Sequence, residues 1–153
     1  MTSSRHTQTQ AGFTLVEALI AVLVLSIGLL GVAGLQLSSL RGNSDAARRS
    51  QATFLAYDIA DRMRANRARA LADDYNIALG DTTPAAGGAT LALRDLNEWR
   101  TAITATLPSG TSPASGQITR LAGGAQFEIT IRWTEGSQSG TPTQMQFVTR
   151  TDI

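Results

Sequence analysis

The 153-residue chain carries thirteen arginines, no lysine, twelve acidic residues, one histidine and no cysteine, and its formal net charge at pH 7 is +1. The absence of cysteine excludes disulfide bonds, thiolate nucleophiles and thiolate-ligated metals. The small net charge gives no whole-chain argument for a nucleic-acid partner or a strongly acidic one. The length suits one modest domain.

A polar segment, residues 1–12, precedes a long apolar run at residues 13–40. As a helix with a rise of about 1.5 Å per residue, this run would be roughly 40 Å long, more than the about 30 Å hydrocarbon core of a bilayer. A secretory signal peptide has an apolar run of only about 7–15 residues. The run therefore predicts a retained transmembrane helix, even though Glu17 near its start would cost about 2.5–3.5 kcal/mol at the bilayer centre.

The segment GFTLVE at this junction carries a more specific signal. It resembles the processing site of type IV prepilins, in which these residue types stand directly before a membrane-length apolar run. The resemblance implies that prepilin peptidase cuts between Gly12 and Phe13, and that the new amino terminus at Phe13 is N-methylated. It also implies that Glu17 serves in assembly by pairing with the amino terminus of a neighbouring subunit, since paired opposite charges offset part of each other's desolvation.

This resemblance implies three segments. They are a prepilin leader at 1–12, a transmembrane and filament-core helix at 13–40, and a periplasmic pilin head at 41–153 that includes the second half of the long helix. The expected location is the inner membrane, with a periplasmic head, and the cell-surface pilus after assembly. Arginine counting favours the opposite orientation, because one arginine precedes the apolar run and several follow it closely.

Beyond the apolar run we expect a second helical stretch. Gly42 and Asn43 are expected to loosen or interrupt the helix, and Asn43 or Ser44 could cap a restart. An apolar stripe with helical spacing then predicts an amphipathic half that packs on the head. The stripe consists of Ala52, Leu55, Ala56, Ile59, Ala60 and Met63.

Four arginines lie close together at the end of this stretch, and we name them the arginine cluster: Arg62, Arg64, Arg67 and Arg69. Such a cluster could contact DNA phosphates. Aspartates stand beside it at Asp58, Asp61, Asp73 and Asp74. We therefore favour a solvated, salt-bridged helix face and regard a nucleic-acid partner as unlikely.

Two segments indicate which kind of type IV pilin the chain resembles, LSIGLLGVAGLQLSSLRGN and AYDIADRMRANRA. They are similar to the corresponding parts of PilV-type minor pilins, the type IV pilus modification proteins. This implies a minor pilin that acts in pilus assembly within a tip or priming complex, with prepilin peptidase and other minor and major pilins as partners. A minor pseudopilin of type II secretion is the alternative, and a DNA-binding surface pilin is a further one.

The sequence of the remaining part of the head predicts a loop, a helix and a sheet. The loop covers 75–89, which is rich in turn-forming residues. In the helix that follows, Asp95 and Glu98 have the spacing of a capping box, and Pro108 with Gly110 would stop it. One face of this helix is apolar and is formed by Leu96, Trp99, Ile103 and Leu107. We expect Trp99 to belong to the core.

Three strand-like segments follow, GQITRL, AQFEITIRWTEG and MQFVTRT. The central one alternates apolar residues, Phe127, Ile129, Ile131 and Trp133, with polar ones. We therefore predict an α+β, pilin-like fold in which a long N-terminal helix packs on a small antiparallel meander, with one extra helix. The cysteine pair that closes a C-terminal loop in many pilins is absent.

No residue pattern predicts an enzyme. The single histidine, His6, lies in the leader, so the mature chain lacks the residue that most often acts as a general base or metal ligand. No phosphate-binding glycine loop follows a predicted strand, and Asp73 with Asp74 does not form a calcium-loop pattern. We expect no catalytic residues, no cofactor and no metal.

Overall fold

The computed structural model describes residues 13–81, 90–110, 112–122, 124–135 and 141–153. The predicted leader with Gly12, and most of the predicted loop after Tyr75, lie outside the described residues. The elements in chain order are α1 (Leu15–Ala65), α2 (Arg67–Ala70), α3 (Leu91–Thr106), β1 (Ser115–Arg120), β2 (Gln126–Glu135) and β3 (Thr143–Asp152). The chain divides into two compact units, Met1–Gly42 and Asn43–Ile153.

Helix α1 runs for 51 residues without a break. The predicted interruption at Gly42 and Asn43 is therefore wrong. A glycine in a helix costs only about 1 kcal/mol relative to alanine, whereas restarting the helix would repeat the unfavourable nucleation step. Continuing the helix through Gly42 is thus cheaper than ending it.

In the first unit, the apolar side chains of α1 are exposed to the surroundings. Leu15 is 76% exposed and Leu30 is 73% exposed. Helix α1 is long and apolar enough to cross a membrane, and none of its most apolar window is buried within the chain. A surface of this kind needs a lipid environment or other apolar helices to cover it.

In the second unit, α1 contributes one face to a hydrophobic core. The predicted stripe is confirmed, because all but one of its members are buried and Leu55 is partly buried. Helix α3 contributes its predicted apolar face, which is fully buried at Trp99 and Ile103. The indole nitrogen of Trp99 donates to the carbonyl oxygen of Leu55 at 2.8 Å, so the one polar atom of this core residue is satisfied.

The predicted capping box of α3 is wrong. The helix begins at Leu91, and its N-cap is Thr90, whose hydroxyl accepts from the amide of Leu93 at 3.3 Å. Threonine competes well for this position because its oxygen satisfies an amide of the first turn. Asp95 is consequently inside the helix and buried. The predicted stop is confirmed, since α3 ends at Thr106, before Pro108.

The three strands form one antiparallel sheet in the order β1-β2-β3. This confirms the predicted meander. The apolar face of β2 is buried at Phe127, Ile129, Ile131 and Trp133. The sheet thus supplies the second layer of the core, and the fold is a long helix with a three-stranded antiparallel sheet and an additional helix.

A close approach between α3 and β1 requires glycine at position 116. A Cβ atom there would lie 2.3 Å from Cη2 of Trp99 and 2.8 Å from Cδ1 of Ile103. Both distances are shorter than any tolerated carbon contact. The missing side chain of Gly116 therefore lets the indole ring lie directly on the backbone of β1.

Candidate functional site

Phe13 and Glu17, which are predicted to act in processing and assembly, lie at the start of α1. Phe13 and Thr14 precede the helix, which begins at Leu15. The hydroxyl of Thr14 accepts a hydrogen bond from the backbone amide of Glu17 at 3.3 Å. Thr14 is thus the N-cap, and Glu17 is the third residue of the helix. This is the Thr-x-x-Glu spacing of a capping box.

Glu17 is therefore placed where a carboxylate is favoured. The amides at a helix N-terminus carry a partial positive charge, which stabilises an acidic side chain in the first turn by about 0.3–1 kcal/mol. Its side chain is exposed, and its carboxylate forms no ion pair among the described residues. The carboxylate can therefore accept a cation from outside the chain.

Apolar side chains surround this acid on the first unit. The exposed large residues between Phe13 and Leu40 are leucine, valine and isoleucine throughout. An apolar partner helix that covers this surface would also exclude water from Glu17. A carboxylate enclosed in this way is unfavourable unless a cation pairs with it.

The arginine cluster in the second unit is occupied by contacts within that unit. Arg62 is bound by three carboxylates, at 2.7 Å from Glu98, 3.0 Å from Asp58 and 3.4 Å from Asp95. The hydrogen bond from its guanidinium group to Glu98 is the largest cause that raises the pKa of Arg62. Arg62 therefore links α1 to α3 and has little free capacity for a phosphate.

The other three members of the cluster are also engaged. Arg64 is 2.6 Å from Asp61 and additionally donates to the hydroxyl of Thr151. Arg67 donates from Nε to the carbonyl oxygen of Ile153 at 3.0 Å. The fourth guanidinium group, on Arg69, is 2.6 Å from Asp74. The contacts of Arg64 and Arg67 attach α1 and α2 to the end of β3. The pairs with Asp61 and Asp74 are those of the predicted salt-bridged face.

A buried phenol completes the network around Arg62. The hydroxyl of Tyr75 donates to Oδ2 of Asp95 at 2.5 Å and accepts from Nδ2 of Asn66 at 3.1 Å. Burial, followed by the hydrogen bond to Asp95, raises the pKa of Tyr75 to about 12. Tyr75 is completely buried, so the network holds the loop after α2 against α1 and α3.

Two of these roles were missed by sequence reasoning. The Thr-x-x-Glu spacing of Thr14 and Glu17 is itself a capping signal, which the processing motif at the same residues masks. Asp95 was assigned to a helix cap, and no local pattern indicates that it meets Tyr75 and Arg62. Among the described residues, no group of three or more histidine, aspartate or glutamate side chains is arranged to hold a metal.

Comparison with known protein families agrees with these observations. Residues 34–86 match the family Type IV pilin Tt1218, and residues 7–33 match the Prokaryotic N-terminal methylation motif. The two matches adjoin and together cover residues 7–86, which include all of α1 and α2. Neither the curated proteins nor the solved structures gave a match.

Proposed function

We propose that this chain, a type IV pilin with an N-terminal methylation motif by its matches over residues 7–86, is a minor pilin of the PilV type that acts in pilus assembly. The observation that carries the proposal is the exposed apolar helix, with one carboxylate at its start, joined to a folded head. Such a chain has two surfaces for assembly, one for apolar helices and one for other heads. We place it in a tip or priming complex with other minor pilins.

Processing is the first step of the proposed function. Prepilin peptidase removes residues 1–12 by cutting between Gly12 and Phe13, and Phe13 is then N-methylated. The match of residues 7–33 to the methylation motif supports this step. The cut leaves an amino group four residues before Glu17, at the start of α1.

Assembly is the second step. Before assembly, the processed chain resides in the inner membrane, with residues 13–40 in the bilayer and the head in the periplasm. When α1 enters the bundle of pilin helices, the carboxylate of Glu17 pairs with the amino terminus of a neighbouring subunit. The exposure of Glu17 and the absence of an ion pair to it among the described residues support this role. Pairing offsets the desolvation of both charges.

The two alternative functions require different features of the chain. A minor pseudopilin of type II secretion would share the same processing motif and apolar helix, and no observed contact favours it. A DNA-binding surface pilin would need cationic side chains that are free to reach phosphates. The contacts of the arginine cluster weigh against that function, since all four guanidinium groups already have partners.

The direct test is the composition of pili from the native host. Pili sheared from cells should contain this chain, its first residue should be Phe13, and mass spectrometry should find a methyl group on its amine. Deletion of the gene should reduce the number of surface pili and leave protein secretion unchanged. Lost secretion with normal pili would identify a pseudopilin, and a chain that retains Met1 would contradict the proposal.

A further inference from the structure

The outer edge of β3 is open. No strand pairs with it in the parts of the chain that the structure describes, although it pairs with β2 without a bulge from Thr143 to Asp152. Edge strands are commonly protected by lysine, proline, a bulge or a covering segment. β3 contains no lysine, proline or bulge, and its charged residues, Arg150 and Asp152, stand only near its end. Most of its edge can therefore accept a further strand.

The register shows which backbone groups are available. The amide of Ile153 donates to the carbonyl oxygen of Ala125 at 2.9 Å, just beyond the end of β3. Antiparallel pairs alternate between hydrogen-bonded and non-hydrogen-bonded, so the odd-numbered residues of β3 bond to β2. The even-numbered residues direct their amide and carbonyl groups away from the sheet, and they are Gln144, Gln146, Val148, Arg150 and Asp152.

The opposite edge of the sheet, formed by β1, is covered by another segment of the same chain. Ile77 pairs with Ile118 of β1 through two backbone hydrogen bonds, of 3.0 Å and 2.9 Å. The side chain of Asn76 accepts from the next outward amide, that of Arg120, at 3.1 Å. The segment after α2 thus occupies the edge of β1.

A cleft adjoins the open edge. Its volume is about 400 Å³, and it is lined by Arg49 and Thr53 of α1, Trp133 of β2, and Met145, Gln146 and Phe147 of β3. Met145 and Phe147 pack against the core but remain half-buried. A strand added to β3 would direct alternate side chains to the face of the sheet that carries Met145 and Phe147. Those side chains would enter the cleft.

The positive charge of Arg49 in the cleft indicates that the added strand carries an acidic side chain. Arg49 is exposed and has no ion pair within the described residues, whereas its neighbour Arg48 is 3.3 Å from Asp45. A carboxylate beside the apolar side chain of the entering strand would pair with Arg49. A second copy of β3 added in the antiparallel direction does not supply one, because its residues on this face would be Met145, Phe147, Thr149 and Thr151.

We propose that β3 and its cleft dock an extended strand of a different pilin, which places an apolar side chain beside Trp133 and a carboxylate at Arg49. Backbone hydrogen bonds to the even-numbered residues of β3 hold the strand, and the cleft selects it. This inference rests on the proposed function and identifies the surface by which the head recognises its neighbour in the assembly.

The first experiment distinguishes the contribution of the backbone amides at the edge of β3 from that of the side chains on β3. In the full chain, Val148→Pro removes one outward amide without removing a hydrogen bond to β2, and proline is tolerated at such edge positions. Val148→Thr keeps the amide and is the matched control. We expect Val148→Pro to lower surface pili about tenfold, a loss equivalent to about 1.4 kcal/mol, while Val148→Thr remains at the wild-type level. Thermal unfolding of both purified variants verifies that the head is folded.

Amide exchange gives a second measurement on the unaltered chain. The full chain is co-expressed with other pilins of its native host and purified with them in detergent. The amides of Gln144, Gln146, Val148 and Arg150 should exchange more slowly in the complex than in the chain alone, and Thr53→Trp, which fills the cleft, should abolish this protection. Unchanged exchange in a complex that forms would overturn the proposal, and so would full piliation by a folded Val148→Pro variant.

Two other outcomes have distinct meanings. The chain contains no cysteine, so Val148→Cys gives a single thiol at the open edge. A disulfide-linked homodimer in cells would overturn the proposal by assigning the edge to a second copy. If the wild-type chain is absent from pili and its deletion has no effect on them, the proposed function fails as well.

Discussion

The phenol of Tyr75 donates a hydrogen bond of 2.5 Å to the carboxylate of Asp95, and both side chains are buried between α1, α3 and the segment after α2. Asp95 is in turn 3.4 Å from Arg62. The three residues come from three different parts of the chain, so their contacts fix the arrangement of the head around α1.

The Tyr75 contact predicts how the head responds to alkaline pH. The pKa of Tyr75 is raised from 10.0 to about 12 in the folded chain, so the folded state holds this proton more tightly than the unfolded state. The resulting stabilisation is fully present below pH 10 and is lost as the pH rises to about 12. Two pKa units correspond to about 2–3 kcal/mol.

Urea unfolding of the full chain in detergent, repeated from pH 8 upward, measures this loss. Tyr75→Phe should be less stable at pH 8 and should lose less stability than the wild type between about pH 10 and 12. The chain has one other tyrosine, Tyr57, which is exposed, and Tyr57→Phe is the matched control with the wild-type profile. Parallel profiles for wild type and Tyr75→Phe would contradict the buried-phenol account.

Gly116 predicts a second stability effect. Gly116→Ala would place a Cβ atom 2.3 Å from Cη2 of Trp99, so α3 must shift away from β1. Overpacking of this kind costs about 1–3 kcal/mol. Gly124→Ala is the control, because the nearest atom to its added Cβ is 3.7 Å away. Urea unfolding should place Gly116→Ala clearly below both the wild type and the control, and equal stability of the two variants would refute the close contact.

The contacts of the arginine cluster predict weak DNA binding. The full chain in detergent should bind duplex DNA only at low salt, because its guanidinium groups are already paired with carboxylates or a carbonyl. Asp61→Asn and Asp74→Asn each free one arginine and should raise the affinity slightly. Tight binding by the wild type at physiological salt, lost on replacing Arg64, Arg67 and Arg69 by glutamine, would favour the uptake function.

Sequence periodicity predicted most of the fold because the relevant signals are local. The alternation from Phe127 to Trp133 and the stripe from Ala52 to Met63 each describe one face of one element, and the core faces follow directly. The wrong predictions concern positions where two local structures compete. Gly42 and Asn43 predict a loosened or interrupted helix, but the cost of a glycine within α1 is small against that of a new nucleation step.

The contacts within the candidate site were less predictable. Asp95 had a plausible local role as a cap, while its actual partners, Tyr75 and Arg62, are 20 and 33 residues away. The open edge of β3 depends on the strand order, which a strand pattern alone does not determine. Processing at Gly12 and Phe13 remains a prediction from the motif.

We infer that the carboxylate of Glu17 acts in assembly and not in processing. Glu17→Gln keeps a side chain that suits the third position of a capping box but removes the charge, and Glu17→Val removes both. Glu17→Asp keeps the charge on a shorter side chain. All three variants should lose the leader normally, because Gly12 stands at the cut.

The decisive measurement quantifies leader removal and surface pili in the same cells. We expect complete leader removal in every variant, few pili with Glu17→Gln and Glu17→Val, and an intermediate number with Glu17→Asp. Assembly by Glu17→Gln at the wild-type level would show that the charge is dispensable. That result would contradict the pairing of Glu17 with a neighbouring amino terminus.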